Sequence, residues 1–310
     1  MPPHGNTVSQ ELSKRFFHPY IVSEIVSYID LEDDKTLANL MKVSKAFYHE
    51  AGWRLHDILV WGPRQPKSPL IGWTKPDSPW CKASLLCRTT ILNVFQHDKK
   101  HCFADCRVAH TNGEITIRPL ELPRLYRLHI DFDNEKTCNS LDCPITRNLK
   151  PVALYLKYPQ HAAANALPHG LVSNLKYLYI DLGIGGVSYL SRILAMYIPR
   201  GILELEICFM LEDDLDPEDK WTHHDAFRKA CKDIIDIVTD PGMTALHIIG
   251  IIIGLEGGPE PWDGIKEDDD DDSEYGWDEF WEYSELWDEA MSEWAEEIED
   301  RVFLLARNRR

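Results

Sequence analysis

Apolar residues recur at helical spacing over residues 17–56. Ile21, Val22, Ile25, Val26 and Ile29 form a first stripe just after Pro19, a residue favoured in a first helical turn. Leu37, Leu40, Met41, Phe47, Tyr48 and Ala51 form a second stripe at steps of three and four, with Ser44 in register and Asp33 and Asp34 ahead of it as candidate N-caps. This second stripe reads as one helix that stops at Gly52, followed by a short helix or an exit strand through Trp53, Leu55 and Ile58. Helices this short are unstable alone, so the two stripes must pack on each other.

Further along, the pattern changes. Five prolines fall between residues 62 and 80, which makes residues 61–88 read as a linker or long loop. Thr89 to Phe95 reads as a strand, and Asn112-Gly113 between Cys106–Ala109 and Glu114–Ile117 is a hairpin signal. From residue 120 a weak repeat sets in. Leu125-x-x-Leu128-x-Ile130 recurs from Pro151 (Leu154, Leu156), Leu175 (Leu178, Ile180), Ile202 (Leu205, Ile207) and Met243 (Leu246, Ile248). The central residues of the first four lie 26, 24 and 27 positions apart, within the range of stacked strand–helix repeats. Helical candidates lie between them at 160–166, 187–197 and 222–239, the last with a stripe of Phe227, Ala230, Cys231, Ile234, Ile235 and Val238. A strand apolar on one face with a helix behind it cannot close a core by itself, whereas stacked neighbours can. The expectation is an α/β chain: a small all-helical bundle over 17–60, a repeat region over 89–255, a Gly-, Pro- and Asp-rich stretch over 256–276, and a helix over 277–310.

Charge sharpens the last part. The 310 residues carry a net charge of −18, yet residues 266–300 alone carry −17 and the last ten residues carry +4, so residues 1–265 are only mildly acidic at −5. The tail's Trp277, Phe280, Trp281, Trp287, Met291 and Trp294 share one helical face opposite the acids. It reads as a cap on the last repeat, as a binder of basic proteins, or as solubilising charge. The acidic balance argues against nucleic acid as a partner. The longest apolar run, Ala245 to Leu255, is interrupted and too short to span a bilayer, and residues 1–16 are polar without a signal-peptide pattern, which leads to an expected cytoplasmic or nuclear location with reduced thiols.

Residues 17–55 resemble the F-box. The chain reads Phe17-His18-Pro19-Tyr20-Ile21-Val22-Ser23-Glu24-Ile25-Val26-Ser27-Tyr28-Ile29, then Asp30, then Leu37-x-x-Leu40-x-x-Val43-Ser44-Lys45-x-Phe47. The Val-Ser-Lys-x-Phe end is the most specific part, and Phe17-His18-Pro19 replaces the family's Leu-Pro opening. The resemblance implies a bundle that docks onto the Skp-type linker protein of cullin-RING ubiquitin ligases, with Phe17, Pro19, Ile21, Ile25, Leu37, Leu40 and Val43 at or behind the docking face. It also implies a non-enzymatic adaptor whose remaining chain captures a protein substrate. The repeats in turn resemble leucine-rich repeats, although Asp133, Pro159, Gly183, Met210 and Ile251 occupy the places where that family carries Asn or Cys.

If the repeat leucines face a core, the residue between them faces the other side of the strand. That row is His129, Tyr155, Tyr179, Glu206 and His247, a mixed aromatic and polar set suited to contacting protein. The competing readings are an interaction scaffold outside any ligase and a binder of basic proteins acting through the tail. Other constellations carry less. His97, His101, Cys102, Cys106 and His110 contain zinc-type ligands but lack a second cysteine pair at finger spacing, and are expected as loop and strand residues with no metal. Gly183-Ile-Gly-Gly186 lacks the dinucleotide-binding spacing, and no Walker lysine or Gly-x-Ser-x-Gly elbow occurs, so no cofactor is expected.

Overall fold

The computed structural model describes residues 19–30, 33–62, 70, 82–95, 99–132, 143–161, 169–184, 189–190, 192–193, 198–211, 225, 228–229, 231–237, 243, 245–255, 285, 289, 292 and 302–306. The predicted N-terminal helices are α1 (Pro19–Ser27), α2 (Asp34–Leu40) and α3 (Lys45–Leu55). The second stripe is therefore two helices, not one. Ser44 is the reason: its backbone is extended and its hydroxyl accepts the Phe47 N–H at 3.3 Å, which starts a new helix instead of continuing the old one. Asp33 caps α2 by accepting the Thr36 N–H at 3.0 Å. Val22, Val26, Leu37, Phe47 and Ala51 form a small closed core for these three helices.

The rest is a mixed α/β fold around an all-parallel sheet. Its eight strands are β1 (Ile58–Trp61), β2 (Ile91–Val94), β5 (Arg127–Asp131), β6 (Ala153–Lys157), β7 (Tyr177–Ile184), β8 (Glu204–Leu211), β9 (Ile248–Leu255) and β10 (Val302–Ala306), and they lie side by side in chain order. A separate antiparallel pair, β3 (Arg107–Ala109) and β4 (Ile115–Ile117), is the predicted hairpin, with Gly113 at φ 81° in its turn. Short helices α4 (Lys82–Leu86), α5 (Lys99–Asp105) and α6 (His169–Val172) lie in the connections.

The register explains the leucines. Leu59, Leu92, Leu128, Leu154, Leu178, Leu205 and Ile249 are successive neighbours across the sheet, and so are Trp61, Val94, Ile130, Leu156, Ile180, Ile207 and Ile251. All fourteen are buried in one core, together with Leu86, Leu122, Leu149, Leu171, Ile193, Cys231, Ile234 and Ile235 from the connections. Each fully buried leucine contributes about 2 kcal/mol relative to an exposed one, so the two rows fix which face turns inward. A backbone device repeats beside them. The carbonyls of Thr90, Tyr126, Val152 and Lys176 each accept two consecutive N–H groups from the start of the next strand, at 2.8 to 3.1 Å. Before the strands, the N–H of Thr89, Leu125, Leu175, Ile202 and Leu246 closes a turn onto the residue three back.

Of the linker and long-loop readings of residues 61–88, the loop fits: the segment connects β1 to its neighbour β2, contains α4 and places Leu70 in the core. Two expectations are corrected. The sheet begins at Ile58, before the expected repeat region. The C-terminal helix does not reach residue 306, because Val302–Ala306 pairs with β9 along its open edge. A short apolar run cannot be told from a helix segment by periodicity alone, and the edge of β9 offers it unpaired backbone groups. Most of 256–301, residues 162–166 and parts of the 187–197 and 222–239 segments lie outside the described residues, but Glu285, Glu289 and Ser292 are helical and Arg228 pairs with Glu289 at 3.2 Å. Among the described residues no helix is long and apolar enough to cross a membrane.

Two substitutions test this frame. Gly183 has φ +60°, and a Cβ there would overlap the ring of Tyr158, itself at φ 54°. Gly183→Ala is expected to cost about 1–3 kcal/mol in a urea melt. Leu154→Ala should cost about 2–5 kcal/mol through the cavity it leaves, and a loss under about 1 kcal/mol would contradict the inward assignment of that row.

Candidate functional site

Two surfaces stand out, one on the bundle and one on the sheet. On α1 and the turn after it, Val22, Val26 and Ile29 turn inward, while Ile21, Ile25 and Tyr28 are 48%, 40% and 82% exposed. Tyr20 and Val43 are 70% and 56% exposed, and Pro19 is exposed as well. A bundle this small has no stability reason to leave these apolar groups in water, and exposed apolar patches mark contact sites. Of the predicted docking residues, Pro19, Ile21, Ile25 and Val43 lie at the surface, and Leu40 is half-buried. Leu37 is fully buried and lies behind that surface. Phe17 lies outside the described residues.

Within the bundle, Arg54 Nη1 donates to the Val26 carbonyl at 2.9 Å. Towards the sheet, Trp53 Nε1 donates to the Ser84 carbonyl at 3.2 Å, with the Arg88 guanidinium 3.3 Å over the Trp53 ring. Thr89 Oγ1 donates to the His56 carbonyl at 2.7 Å, and Thr90 Oγ1 to Asp57 at 2.7 Å. Burial, helped by nearby Lys82, holds the His56 imidazole below its ordinary range.

The second surface is the face of the sheet away from the leucines. Its middle row runs Val60, Asn93, His129, Tyr155, Tyr179, Glu206 and Gly250 in direct register. Four of the five predicted residues thus fall together. His247 does not: it precedes β9, and Gly250 takes its place. Apolar residues at 243, 246, 248, 249 and 251 satisfy the repeat in two frames three residues apart, and only pairing with β8 selects the second. Sequence reasoning also missed the rows two residues to either side. Arg127, Ala153, Tyr177 and Glu204 form one; Asp131, Lys157, Asp181 and Cys208 form the other. The two-residue period of a strand is the signal that would have found them.

Arg127 and Glu204 are exposed and His129, Tyr155, Lys157, Tyr177, Tyr179 and Glu206 half-buried, whereas Ala153, Asp131, Asp181 and Cys208 are buried. Ring centroids step from Phe95 to His129 (6.4 Å), to Tyr155 (6.4 Å) and to Tyr179, which stacks at 5.2 Å and 28°. Tyr126 and Tyr177 approach to 6.5 Å across the small Ala153 side of β6, and the Arg127 guanidinium lies 4.9 Å over Tyr155. Asp131, Lys157 and Asp181 alternate in charge across β5, β6 and β7. Burial is the main reason the Tyr179 hydroxyl is pushed far above its ordinary range, and Cys208, Asp181 and Glu206 add to it. Burial also lowers the His129 pKa; Lys157 and Arg127 act in the same sense, while Asp131 and Asp181 oppose them.

The cysteine–histidine segment serves the core. Cys102 and Cys106 are fully buried, burial pushing the Cys106 thiol up to about 12, and His110 Nε2 pairs with Thr116 Oγ1 at 2.8 Å on the hairpin. Among the described residues no group of His, Cys, Asp or Glu is placed to hold a metal ion, and His97 lies outside them. Comparison with protein-family models, curated proteins and solved structures finds no match to this chain, so the ligands of both surfaces have to be argued from their chemistry.

The His129 shift has a measurable consequence. Its folded pKa lies below the unfolded value near 6.5, so the unfolded chain binds more protons as the pH falls and stability drops. Thermal melts from about pH 7.5 to about pH 5 should show a smaller loss of Tm for His129→Gln than for the unaltered chain. His56 is lowered in the same sense and should leave a residual slope; an unchanged slope in the variant would contradict the assignment.

Proposed function

We propose that this chain is a substrate-recognition adaptor of an SCF-type cullin-RING ubiquitin ligase. In this reading the bundle docks onto a Skp-type linker protein and the open sheet face captures a protein substrate. The adaptor forms and breaks no bonds. It raises the local concentration of a substrate lysine at the charged ubiquitin-conjugating enzyme. The observation that carries the proposal is the division of apolar positions in the F-box-like segment. Val22, Val26, Leu37, Phe47 and Ala51 suffice to build the core, while Pro19, Ile21, Ile25 and Val43 remain at the surface. A private helical bundle would not need the second set.

The strand region is read as an irregular leucine-rich-repeat-like solenoid. Chain-order strands, two unbroken inner rows and the recurring double-acceptor carbonyls support that reading. Leu59 and Leu92 extend the inner row to the bundle, so the two functional surfaces belong to one stack instead of being joined by a flexible tether.

The test uses the full chain. Mixed with the Skp-type linker at micromolar concentration, it should co-elute on size exclusion. Ile21→Glu combined with Val43→Glu should abolish co-elution while shifting stability by no more than about 1 kcal/mol, because both positions are exposed. Failure of the unaltered chain to co-elute, or undiminished co-elution of the double variant, would overturn the adaptor reading and leave an interaction scaffold.

A further inference from the structure

The sheet is polarised along its strands. In the segments that enter and begin β5, β6 and β7 (118–130, 144–157 and 169–180), seven Lys and Arg stand against one acid, Glu121. The whole chain has the opposite balance, 33 bases to 51 acids. At the far end of β5 and within β7, the open-face acids Asp131 and Asp181 are buried. Four of the seven bases, Arg124, Arg127, Lys150 and Lys176, lie at the amino-terminal end of the sheet and are exposed. Among the described residues none of these four is in an ion pair.

The backbone brings them together. The carbonyls of Tyr126, Val152 and Lys176 serve the entries to β6, β7 and β8 in the same way, so these three residues form one row across three strands. Arg124 and Lys150 each stand two residues before a member of that row, and Arg127 stands one residue after. Neighbouring strands are about 4.8 Å apart, which makes the row about 10 Å wide. Just above it, Arg127 and Tyr177 flank the small Ala153 in register, and the Tyr126 and Tyr177 rings approach to 6.5 Å. The Arg127 guanidinium is held 4.9 Å over the Tyr155 ring, which positions the cation while supplying no formal negative charge.

Exposed cations without acid partners, beside tyrosine hydroxyls that donate hydrogen bonds, select a carboxylate. A cationic segment would meet four like charges here. We propose that the amino-terminal end of β5–β7 binds an extended acidic protein segment with Asp or Glu at alternate positions. Side chains on one side of such a segment recur about every 6.6 Å, so two carboxylates fall within the width of the row. The chain's own net negative charge is screened beyond about 8 Å at physiological salt, so contact at the patch decides for a short segment. A nucleic-acid strand carries a charge at every nucleotide and would run onto the exposed Glu204, the register neighbour of Tyr177. This inference deepens the substrate half of the proposed function and rests on the sheet face being the capture surface; it does not require the linker to bind.

The probe is a fluorescein-labelled peptide alternating glutamate and glycine, titrated with the full chain at about 0.15 M salt and followed by anisotropy. The same peptide with arginine for glutamate is one control, and labelled oligothymidylate is the other. The glutamate peptide should bind more tightly than either. Arg127→Gln with Lys150→Gln should weaken its binding about tenfold or more, and Lys150→Gln with Lys176→Gln, which spares the Arg127–Tyr155 contact, about as much. Both variants should keep the thermal stability and linker co-elution of the unaltered chain. Lys35→Gln with Lys42→Gln removes the same charge from the bundle and should leave peptide binding unchanged. The proposal is overturned by an equal loss in that bundle variant, by undiminished binding in both sheet variants, or by no binding of the glutamate peptide. Tighter binding of oligothymidylate, lost in the sheet variants, would reassign the patch to nucleic acid and overturn it as well. If peptide binding holds while linker co-elution fails, the ligase reading falls and this one stands; the converse result sinks only this one.

Discussion

The eight-stranded sheet follows from strands that succeed one another in chain order and all point the same way. A parallel neighbour can be reached only by a connection that leaves the sheet and returns, and such connections are right-handed almost without exception. Strand after strand laid down in one direction therefore sends its connections to the same side. That side is the leucine side, and its core contains residues from the connections as well as from the strands. On the other side, among the described residues, His129, Tyr155, Tyr179 and Glu206 are only partly buried. Parallel sheets are normally buried on both faces, so a parallel face lined with His129, Tyr155, Tyr179 and Glu206 calls for a functional reason more strongly than a polar antiparallel face would.

The same geometry links the two surfaces. α3 runs through His56 and Asp57 directly into β1, and the threonines before β2 tie those two residues in place. The bundle is then a rigid start to the sheet instead of a module on a string. In the proposed adaptor role, a substrate on the sheet face is positioned relative to the docking helices by packed structure. Effective concentration depends on such a fixed span.

Some expectations transferred directly because their causes are local. Asp33 caps a helix, Asn112-Gly113 turns a hairpin, and Leu128, Leu154, Leu178 and Leu205 face inward. Each of these needs only a short window of chain. The misplacements share a different origin. His247 was one frame away from the true row because the apolar residues around β9 fit two frames. Leu59 and Leu92 escape the repeat pattern because the steps into β2 and β5 are longer than those between β5 and β8. The strand at 302–306 continues the helical spacing of the sequence before it, with Val302 and Leu305 in register, so the sequence reads as helix.

By itself, then, the sequence determined the helical start, the alternation of strand and connection, and which face of each central strand is apolar, since propensity, capping and hydrophobic period act within a few residues. Only the tertiary structure decided where the strand series begins and ends, which of two frames β9 adopts, and that Tyr177 and Tyr179 stand opposite Glu204 and Glu206. Those are facts of register between segments far apart in the chain, and register is set by hydrogen bonds and packing that form only when the strands are brought side by side.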